Sequence, residues 1–374
     1  MACWIGWQDS FDPMRPVPAS PAQATGMGVA LGPGQEFSLI DLHLRAAAAQ
    51  ASSSAVTLGI GDDAALLRPD PSQQIAVSVD TMVEGRHYWP DTDPRLLGRK
   101  LLCVNLSDLA AMGASPLACT LSLSLRSDAC GSWLSAFSQG LGAASAEFGC
   151  PLVGGDTVRL PEGAPNVLTL QVLGQVPPGL ALQRGGLLPG DLLWVSGLLG
   201  DPADAVEARV DAVKLHQPNP RIELGMFLRG KAHAAIDLSD GLASELAHLH
   251  AASESRSGSA LSLQLQLDAL SSCLGDRLIA HLREGRMSRM QACRRAAEGG
   301  DEYELVFAAP ADHQAALLNW AGDHQLTLTQ IGTVHAATDS KPRGLDWWFQ
   351  SVRCAPTECP RSGFDHFAQE SPQP

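Results

Sequence analysis

The sequence predicts an α/β protein of two mixed domains, and three observations carry that reading. Segments with the two-residue period of strands alternate with segments of helical period along most of the chain. A Pro/Gly break, Gln175-Val-Pro-Pro-Gly179, separates them into two sets, each with its own strands and helices. Six short segments put aspartate beside glycine or at the end of an apolar run, four before the break and two after it, which places an acidic cleft between the halves.

Taken in order, residues 1–34 are rich in Pro, Gly and Ala without an apolar period and read as a disordered extension. Order is expected to begin near Glu36–Leu44, where apolar residues recur at helical spacing, and the N-terminal domain to cover residues 35–176. Val56–Ile60 and Ile75–Val79 read as strands. Pro94–Met112 reads as a helix, with Pro at its start and Gly113 just past its end. Leu117–Leu125 alternates as a strand, Trp133–Phe148 is helical, and Val167–Val176 is a strand. In the C-terminal domain, residues 180–345, Asp191–Val195, Ala234–Ile236, Leu261–Leu267 and Tyr303–Ala308 are strand-like. Pro202–Leu215, Arg221–Arg229, Leu242–Ala252 and Ala311–Ala321 are helical, and Ser253–Ser259 is a polar loop. Residues 346–374 form a last segment whose aromatics, Trp347-Trp348 and Phe364-Asp-His-Phe367, suit a core or a lid.

Composition narrows the function. With 374 residues, 45% apolar and 18% charged, the chain is globular and long enough for two cores. A formal net charge of −14 argues against a nucleic-acid partner, whose phosphates need a basic face. Nine scattered cysteines without a C-x-x-C pair suit a reduced, cytoplasmic protein. No apolar run reaches the ~18 residues of a membrane span, and no signal-peptide pattern opens the chain.

The six acidic segments carry the chemistry. They are Gly59-Ile-Gly-Asp-Asp-Ala64, Val77-Ser-Val-Asp-Thr81, Asn105-Leu-Ser-Asp-Leu109, Gly154-Gly-Asp-Thr157, Ile236-Asp-Leu-Ser-Asp-Gly241 and Gly299-Gly-Asp-Glu-Tyr303. Carboxylates converging on one cleft repel each other unless cations lie between them. Mg²⁺, held by a few carboxylates plus phosphate oxygens, is the ordinary solution, so the pattern points to polyphosphate chemistry. Each motif has a plainer reading as well. Gly59–Ala64 matches G-x-G-x-x-A superficially, but its two acids would repel a pyrophosphate; an Asp-capped turn competes. Asp80 suits a cap as well as a ligand. Asp108, on a largely apolar helix, is costly unless paired or metal-bound. Gly154-Gly-Asp suits either a turn or a phosphate approach. Asp237 and Asp240 bracket Ser239 at a strand-to-helix junction, where simple N-capping is the alternative to phosphate and metal binding. Arg184 is a phosphate clamp or a solvated side chain, and His87 a loop histidine or a ligand. Gly225-Met-Phe-Leu-Arg-Gly-Lys-Ala232 misses the P-loop pattern at its last position and continues a helix. No Ser/His/Asp or Cys/His arrangement supports covalent catalysis.

In this order the motifs resemble the thiamine-monophosphate kinase family, within the superfamily of aminoimidazole ribonucleotide synthetase, selenophosphate synthetase and the hydrogenase-maturation dehydratase. Asn105-Leu-Ser-Asp-Leu-Ala-Ala-Met-Gly113 and Ile236-Asp-Leu-Ser-Asp-Gly-Leu242 carry the likeness most specifically, and it runs from about Glu36 to about Phe367. The resemblance implies two α/β domains of the aminoimidazole ribonucleotide synthetase-like type, a nucleotide site in the interdomain cleft, and a homodimer formed through the N-terminal domains. It implies transfer of the γ-phosphoryl of ATP to thiamine monophosphate, by direct in-line attack with several Mg²⁺ ions. Metal ligands would fall on Asp63, Ser78, Val79 (through its backbone), Asp80, Asp108, Asp156, Asp237 and Asp240. ATP would meet Gly155, Asp156, Arg184 and Ser239; the thiamine end would meet His87, Asp301 and Phe364; Asp108, Asp156 and Arg184 would act in catalysis. The family usually reads Gly-Gly-Glu-Asp-Tyr-Glu-Leu where this chain has Gly299-Gly-Asp-Glu-Tyr-Glu-Leu305, so Asp301 is one methylene shorter at the substrate position.

Three kinds of rival stand beside this reading, the first being a sister enzyme of the superfamily. A selenophosphate synthetase would carry a reactive Cys and a Lys before its Gly-rich acidic motif, and residues 35–58 contain neither. An amidine cyclase is a further sister activity. A silent nucleotide-binding protein would not be expected to keep the acids of all six segments, and a two-metal phosphohydrolase would cluster its histidines beside the acids, which the 11 here do not.

Overall fold

The computed structural model describes residues 43–361. The expectations for residues 1–34, for most of the Glu36–Leu44 segment and for Phe364 lie outside the described residues. After a short helix α1 (Arg45–Ala48) and a small pair β1 (Val56–Leu58) and β2 (Leu66–Leu67), the first sheet is built from four strands. These are β3 (Gln74–Val83), β4 (Ser115–Leu125), β5 (Leu152–Arg159) and β6 (Val167–Val176), in the order β3-β6-β4-β5. Strand β3 pairs antiparallel with β6 over its full length, from Gln74 opposite Val176 to Val83 opposite Val167.

Two helices, α2 (Pro94–Ala111) and α3 (Ser132–Phe148), cover one face of this sheet. Pro94 opens α2 and the Asp93 carboxylate caps it, accepting from the Arg95 N–H at 2.8 Å. Leu101, Leu102, Leu106 and Leu109 of α2 bury against Leu121, Leu123, Leu168 and Leu170 of the sheet. That helix is unusual in being buried nearly all round, because the second domain packs on its other side.

The second sheet has seven strands: β7 (Leu192–Ser196), β8 (Ala234–Asp237), β9 (Leu261–Gln266), β10 (Leu305–Ala309), β11 (Leu328–Ala336), β12 (Gly344–Phe349) and β13 (Val352–Arg353). Their order is β13-β12-β9-β11-β7-β10-β8, antiparallel except where β12 runs parallel to β9. Helices α4 (Asp201–Ala208), α5 (Val213–His216), α6 (Ile222–Leu228), α7 (Leu242–Ser257), α8 (Asp276–Arg283), α9 (Arg289–Glu298) and α10 (Gln314–Asp323) surround it. Strand β8, at one edge, and helix α6 both meet α2. Gly225 of α6 sits where a Cβ would lie 2.0 Å from the Ala110 carbonyl oxygen, so the near-P-loop stretch starts on a helix, ending at Leu228, and its first glycine serves a close helix contact.

Several expectations are corrected. The helix read over Pro202–Leu215 is broken after Ala208, where Arg209 takes a left-handed φ of 52° and ends α4. Residues 253–257, read as loop, continue α7 to Ser257, with Gly258 closing it in the left-handed conformation. Gly154-Gly-Asp-Thr157, whose plainer reading was a turn, is instead part of strand β5. A Cβ on Gly155 would fall 1.9 Å from the Leu121 carbonyl oxygen, so that glycine answers to a neighbouring strand. Helices α8 and α9 and strands β11 and β12 had no sequence expectation. The apolar content of α9 is mostly small Ala and Cys residues, and a Ser288–Gln291 capping box sets its start. Trp347 is buried, as a core aromatic should be.

Replacing Gly225 by Val forces α6 away from α2. A loss of about 1–3 kcal/mol is expected, seen as a lower unfolding midpoint in thermal denaturation.

Candidate active site

Alternation along β3 sends Ser78 and Asp80 to the face covered by α2, and Val77 and Val79 to the opposite face. On the covered face the Ser78 hydroxyl donates to Asp108 Oδ2 at 2.5 Å. The Asp80 N–H donates to Asn105 Oδ1 at 3.1 Å, and Asn105 in turn donates to the Leu101 carbonyl, so one turn of α2 positions two carboxylates. Asp237, the last residue of β8, comes from the other domain and is buried. Burial raises the Asp237 carboxyl to about 7, and the negative charges of Asp108 and Asp80 push the same way. Asp80 is also raised, first by burial and then by Asp108 and Asp240. Four acids from three sequence segments therefore share one interdomain region.

A fifth acid was not singled out from the sequence. Glu245, in the first turn of α7, accepts from the Asp240 N–H at 3.3 Å and from the Ser239 hydroxyl at 3.4 Å. Burial, then Asp237 and Asp240, push its carboxyl to about 8, while the Arg184 charge pulls it back. Its sequence signal was its place four residues after Gly241, where an acid normally only complements the helix dipole. Arg184 thus faces this acidic region from an exposed position.

Asp63, Gly155 and Asp156 are set apart from that group. In the strand register Asp156 lies beside Ser122 and Asp80 beside Leu170, and Ser122 and Leu170 point to opposite faces. Asp63 and Asp156 instead line a separate cleft of about 630 Å³ with Gly155, Arg45, Ile60 and Thr120. The expectation that all six segments converge on one crevice is therefore met within a single chain by only part of the set. Val79 turns its side chain outward at 56% exposure, and its backbone lies in the ladder beside Gln171.

The Gly299–Leu305 motif forms an internal ion network. Asp301, Glu302 and Glu304 are all buried, and Asp301 and Tyr303 hold positive φ angles of 66° and 51°. The turn is fixed by Asp301 N–H donating to Ser239 O and Tyr303 N–H to Leu238 O, which fastens it to the Asp237–Asp240 loop. Asp301 Oδ1 lies 3.6 Å from Lys100 Nζ of α2 and accepts from the Tyr303 hydroxyl at 3.2 Å. Its Oδ2 has no hydrogen-bond partner among the described residues. Burial raises the Asp301 carboxyl, opposed by Lys100 and His216. Glu302 accepts from the Gly200 N–H and from Lys214 at 2.7 Å, so it is spoken for and does not stand in for Asp301. Glu304 takes Arg221 in a two-pronged contact, 2.6 Å at each oxygen, and the Ser196 hydroxyl at 2.6 Å. Burial opposes ionisation of Glu304, but Lys214 and Arg221 outweigh it and hold the carboxyl below its ordinary value.

His87 is buried, and its Nδ1 accepts from the Val83 N–H at 2.8 Å, which closes the turn after β3. Ser239 is buried beside Glu245.

Hard oxygen donors gathered out of water, whose charges oppose one another's ionisation, fit a divalent cation that shares phosphate oxygens and water. Among the described residues no three His, Cys, Asp or Glu side chains are grouped closely enough to hold a metal ion by themselves. None of the described helices is long and apolar enough to cross a membrane.

Comparison with known proteins accords with this geometry. Residues 61–176 match the family model for the AIR synthase related protein, N-terminal domain. The thiamine-monophosphate kinase of Salmonella typhimurium is 39% identical over 353 residues, covering 89% of this chain and 98% of that protein. The crystal structure of thiamine-monophosphate kinase from Stenotrophomonas maltophilia superposes with a TM-score of 0.71 at 37% identity, covering 85% of this chain and 98% of that one. AaThiL complexed with AMPPCP and TMP shares the fold, with a TM-score of 0.65 at 24% identity over 89% of this chain and 97% of that one.

Asp237 and Glu245 sit above their unfolded carboxyl values, so the folded state binds protons that the unfolded chain releases. Without divalent cations, stability should fall as pH rises from about 4.5 toward 8. Glu245→Gln should flatten that slope in thermal melts, and Mg²⁺ should raise the midpoint more at pH 8 than at pH 5.5.

Proposed function

Because the chain belongs to the thiamine-monophosphate kinase family, we propose that it phosphorylates thiamine monophosphate with ATP, giving thiamine diphosphate and ADP, by direct in-line transfer at the interdomain acidic region. The observation that carries this is the meeting of Asp80 and Asp108 from one domain with Asp237, Asp240 and Glu245 from the other, where the carboxyls of Asp80, Asp237 and Glu245 are raised, first by burial. The named relatives are thiamine-monophosphate kinases, and AaThiL was solved with AMPPCP and TMP.

In this reading Asp80, Asp108, Asp237 and Asp240 hold Mg²⁺, with Ser78 orienting Asp108. Bound Mg²⁺ supplies charge neutralisation between two anionic phosphates and fixes the line of attack. The chain's own residues do the rest. The acceptor is a phosphate oxygen already carrying charge, so no strong base is required. Arg184 and Ser239, at the start of α7, bind the nucleotide phosphates, and Arg184 stabilises charge on the transferred group. Asp301 and His87 lie toward the thiamine end.

The separate set, Asp63, Gly155 and Asp156, is brought into use by a second copy of the chain. Strand β3 is a ten-residue edge strand, and it exposes Ile75, Val77 and Val79 on the face opposite α2. A long apolar edge of this kind is normally paired. A homodimer through that strand covers the apolar stripe and lets the second copy contribute the acids of the outer face.

Pure protein with Mg-ATP and thiamine monophosphate should yield thiamine diphosphate and ADP; product from free thiamine instead would overturn the assignment. Asp108→Asn should lower kcat by a factor of about 10³ or more while circular dichroism stays native. The paired change Val77→Asp and Val79→Asp should shift sedimentation from dimer to monomer and cut activity; a dimeric, fully active variant rules out this interface.

A further inference from the structure

Arg184 is itself exposed, while the backbone around it is held from several sides. The Leu182 N–H donates to the Met112 carbonyl, and the Gln183 carbonyl accepts from the Ala235 N–H of β8, each at 3.1 Å. The rest of the seat is the last turns of α7. Ser253, 1% exposed, directs its hydroxyl out of the helix and accepts from the N–H groups of Gly186 and Leu187, both at 3.1 Å. The same hydroxyl donates to the Arg184 carbonyl at 3.4 Å. One donor and two acceptor positions are all a serine hydroxyl has, so Ser253 is fully engaged by this loop. Arg256, exposed and three residues on, donates from one nitrogen, Nη1, to Gln183 Oε1 at 2.5 Å and to the Gly185 carbonyl at 2.9 Å. A Cβ on Gly185 would fall 2.8 Å from the Ala252 carbonyl oxygen, so the loop lies directly on the helix. In the first turn of the same helix stands Glu245, which feels the Arg184 charge.

We propose that Ser253 and Arg256 are positioning residues for phosphoryl transfer, holding residues 183–187 so that the Arg184 guanidinium is aimed at the nucleotide phosphates before they bind. The inference rests on the kinase reading above and adds to it the part of the chain that sets the direction of its clamp. The physical reason is preorganisation. A charged donor contributes most to the transition state when it is already in place, whereas an arginine on a loose loop has to be ordered at each binding event. Two glycines follow Arg184 in Leu182-Gln-Arg-Gly-Gly186, so the loop's own conformational preference is slight and its order comes from outside. Ser253 supplies that order, and loss of its hydroxyl leaves the Gly186 and Leu187 N–H groups without their acceptor. The continuation of α7 through residues 253–257 is what brings both side chains against the loop. A helix ending at Ala252 would present neither. The polar residues at this helix end therefore have a task beyond solvation.

Steady-state kinetics and Mg-AMPPCP binding of the full chain test the assignment. Ser253→Ala should lower kcat/KM for ATP about tenfold and leave KM for thiamine monophosphate within about twofold of wild type. Mg-AMPPCP should bind more weakly to the same variant. The deciding comparison is a double-mutant cycle with Arg184→Ala. A residue that acts through Arg184 has little left to lose once that side chain is gone, so Ser253→Ala should add less than about twofold in the Arg184→Ala background. Arg256→Ala, at an exposed position, should behave the same way and carries the test if Ser253→Ala proves unfolded. Arg256→Lys should recover most of the loss, since both contacts leave one nitrogen. Additive losses in the cycle overturn the assignment, as does an unchanged kcat/KM for ATP in Arg256→Ala and in a folded Ser253→Ala. Wild-type protein that binds Mg-AMPPCP but makes no thiamine diphosphate overturns the kinase reading alone, because the cycle is still read in the binding constant. Protein that does neither overturns both.

Discussion

Several carboxylates brought together out of water cannot all stay ionised without a counter-charge. Asp80, Asp108, Asp237, Asp240 and Glu245 meet this constraint where the two domains join, and the raised values of Asp80, Asp237 and Glu245 are its signature. Such an arrangement costs the fold stability unless a counter-charge is supplied. Helix α2 makes it possible. It buries one side on its own sheet and the other on β8 and α6, so the same rod that holds Asp108 also presents Lys100 to Asp301.

The Gly299–Leu305 motif shows how acids of one segment divide their labour. Asp301 faces Lys100 and keeps one carboxylate oxygen without a hydrogen bond, while Glu302 and Glu304 are consumed by Lys214, Arg221 and Ser196. The positive φ angles of Asp301 and Tyr303 are sustained because the turn's N–H groups are claimed by Leu238 and Ser239. The Asp237–Asp240 loop and the Gly299–Leu305 turn are thus one mechanical unit.

Much of the framework was readable in advance. Val167–Val176 coincides with β6, and Pro94–Met112 and Trp133–Phe148 with α2 and α3 to within a residue, because capping, period and flanking glycines all agree there. Where they conflicted, the reading failed. Leu242–Ala252 was ended too early because the polar run at Ser253–Ser257 is the exposed end of a helix rather than a loop. Glu245 went unnoticed because a glutamate in a first helical turn is commonplace, and only burial beside Asp237 makes it unusual.

The sequence by itself determined which acids are candidates for metal and phosphate binding, since aspartates beside glycines and at strand ends are local features and survive in one dimension. It also set the two-domain α/β plan and, through the ordered motifs, the kinase family. Only the tertiary structure decided which acids meet. Side-chain direction in a sheet depends on register, and register sends Asp80 and Asp156 to opposite faces of the same four strands. Partner choice within Asp301–Glu304 likewise depended on Lys100, Lys214 and Arg221, each remote in sequence and brought near by packing alone.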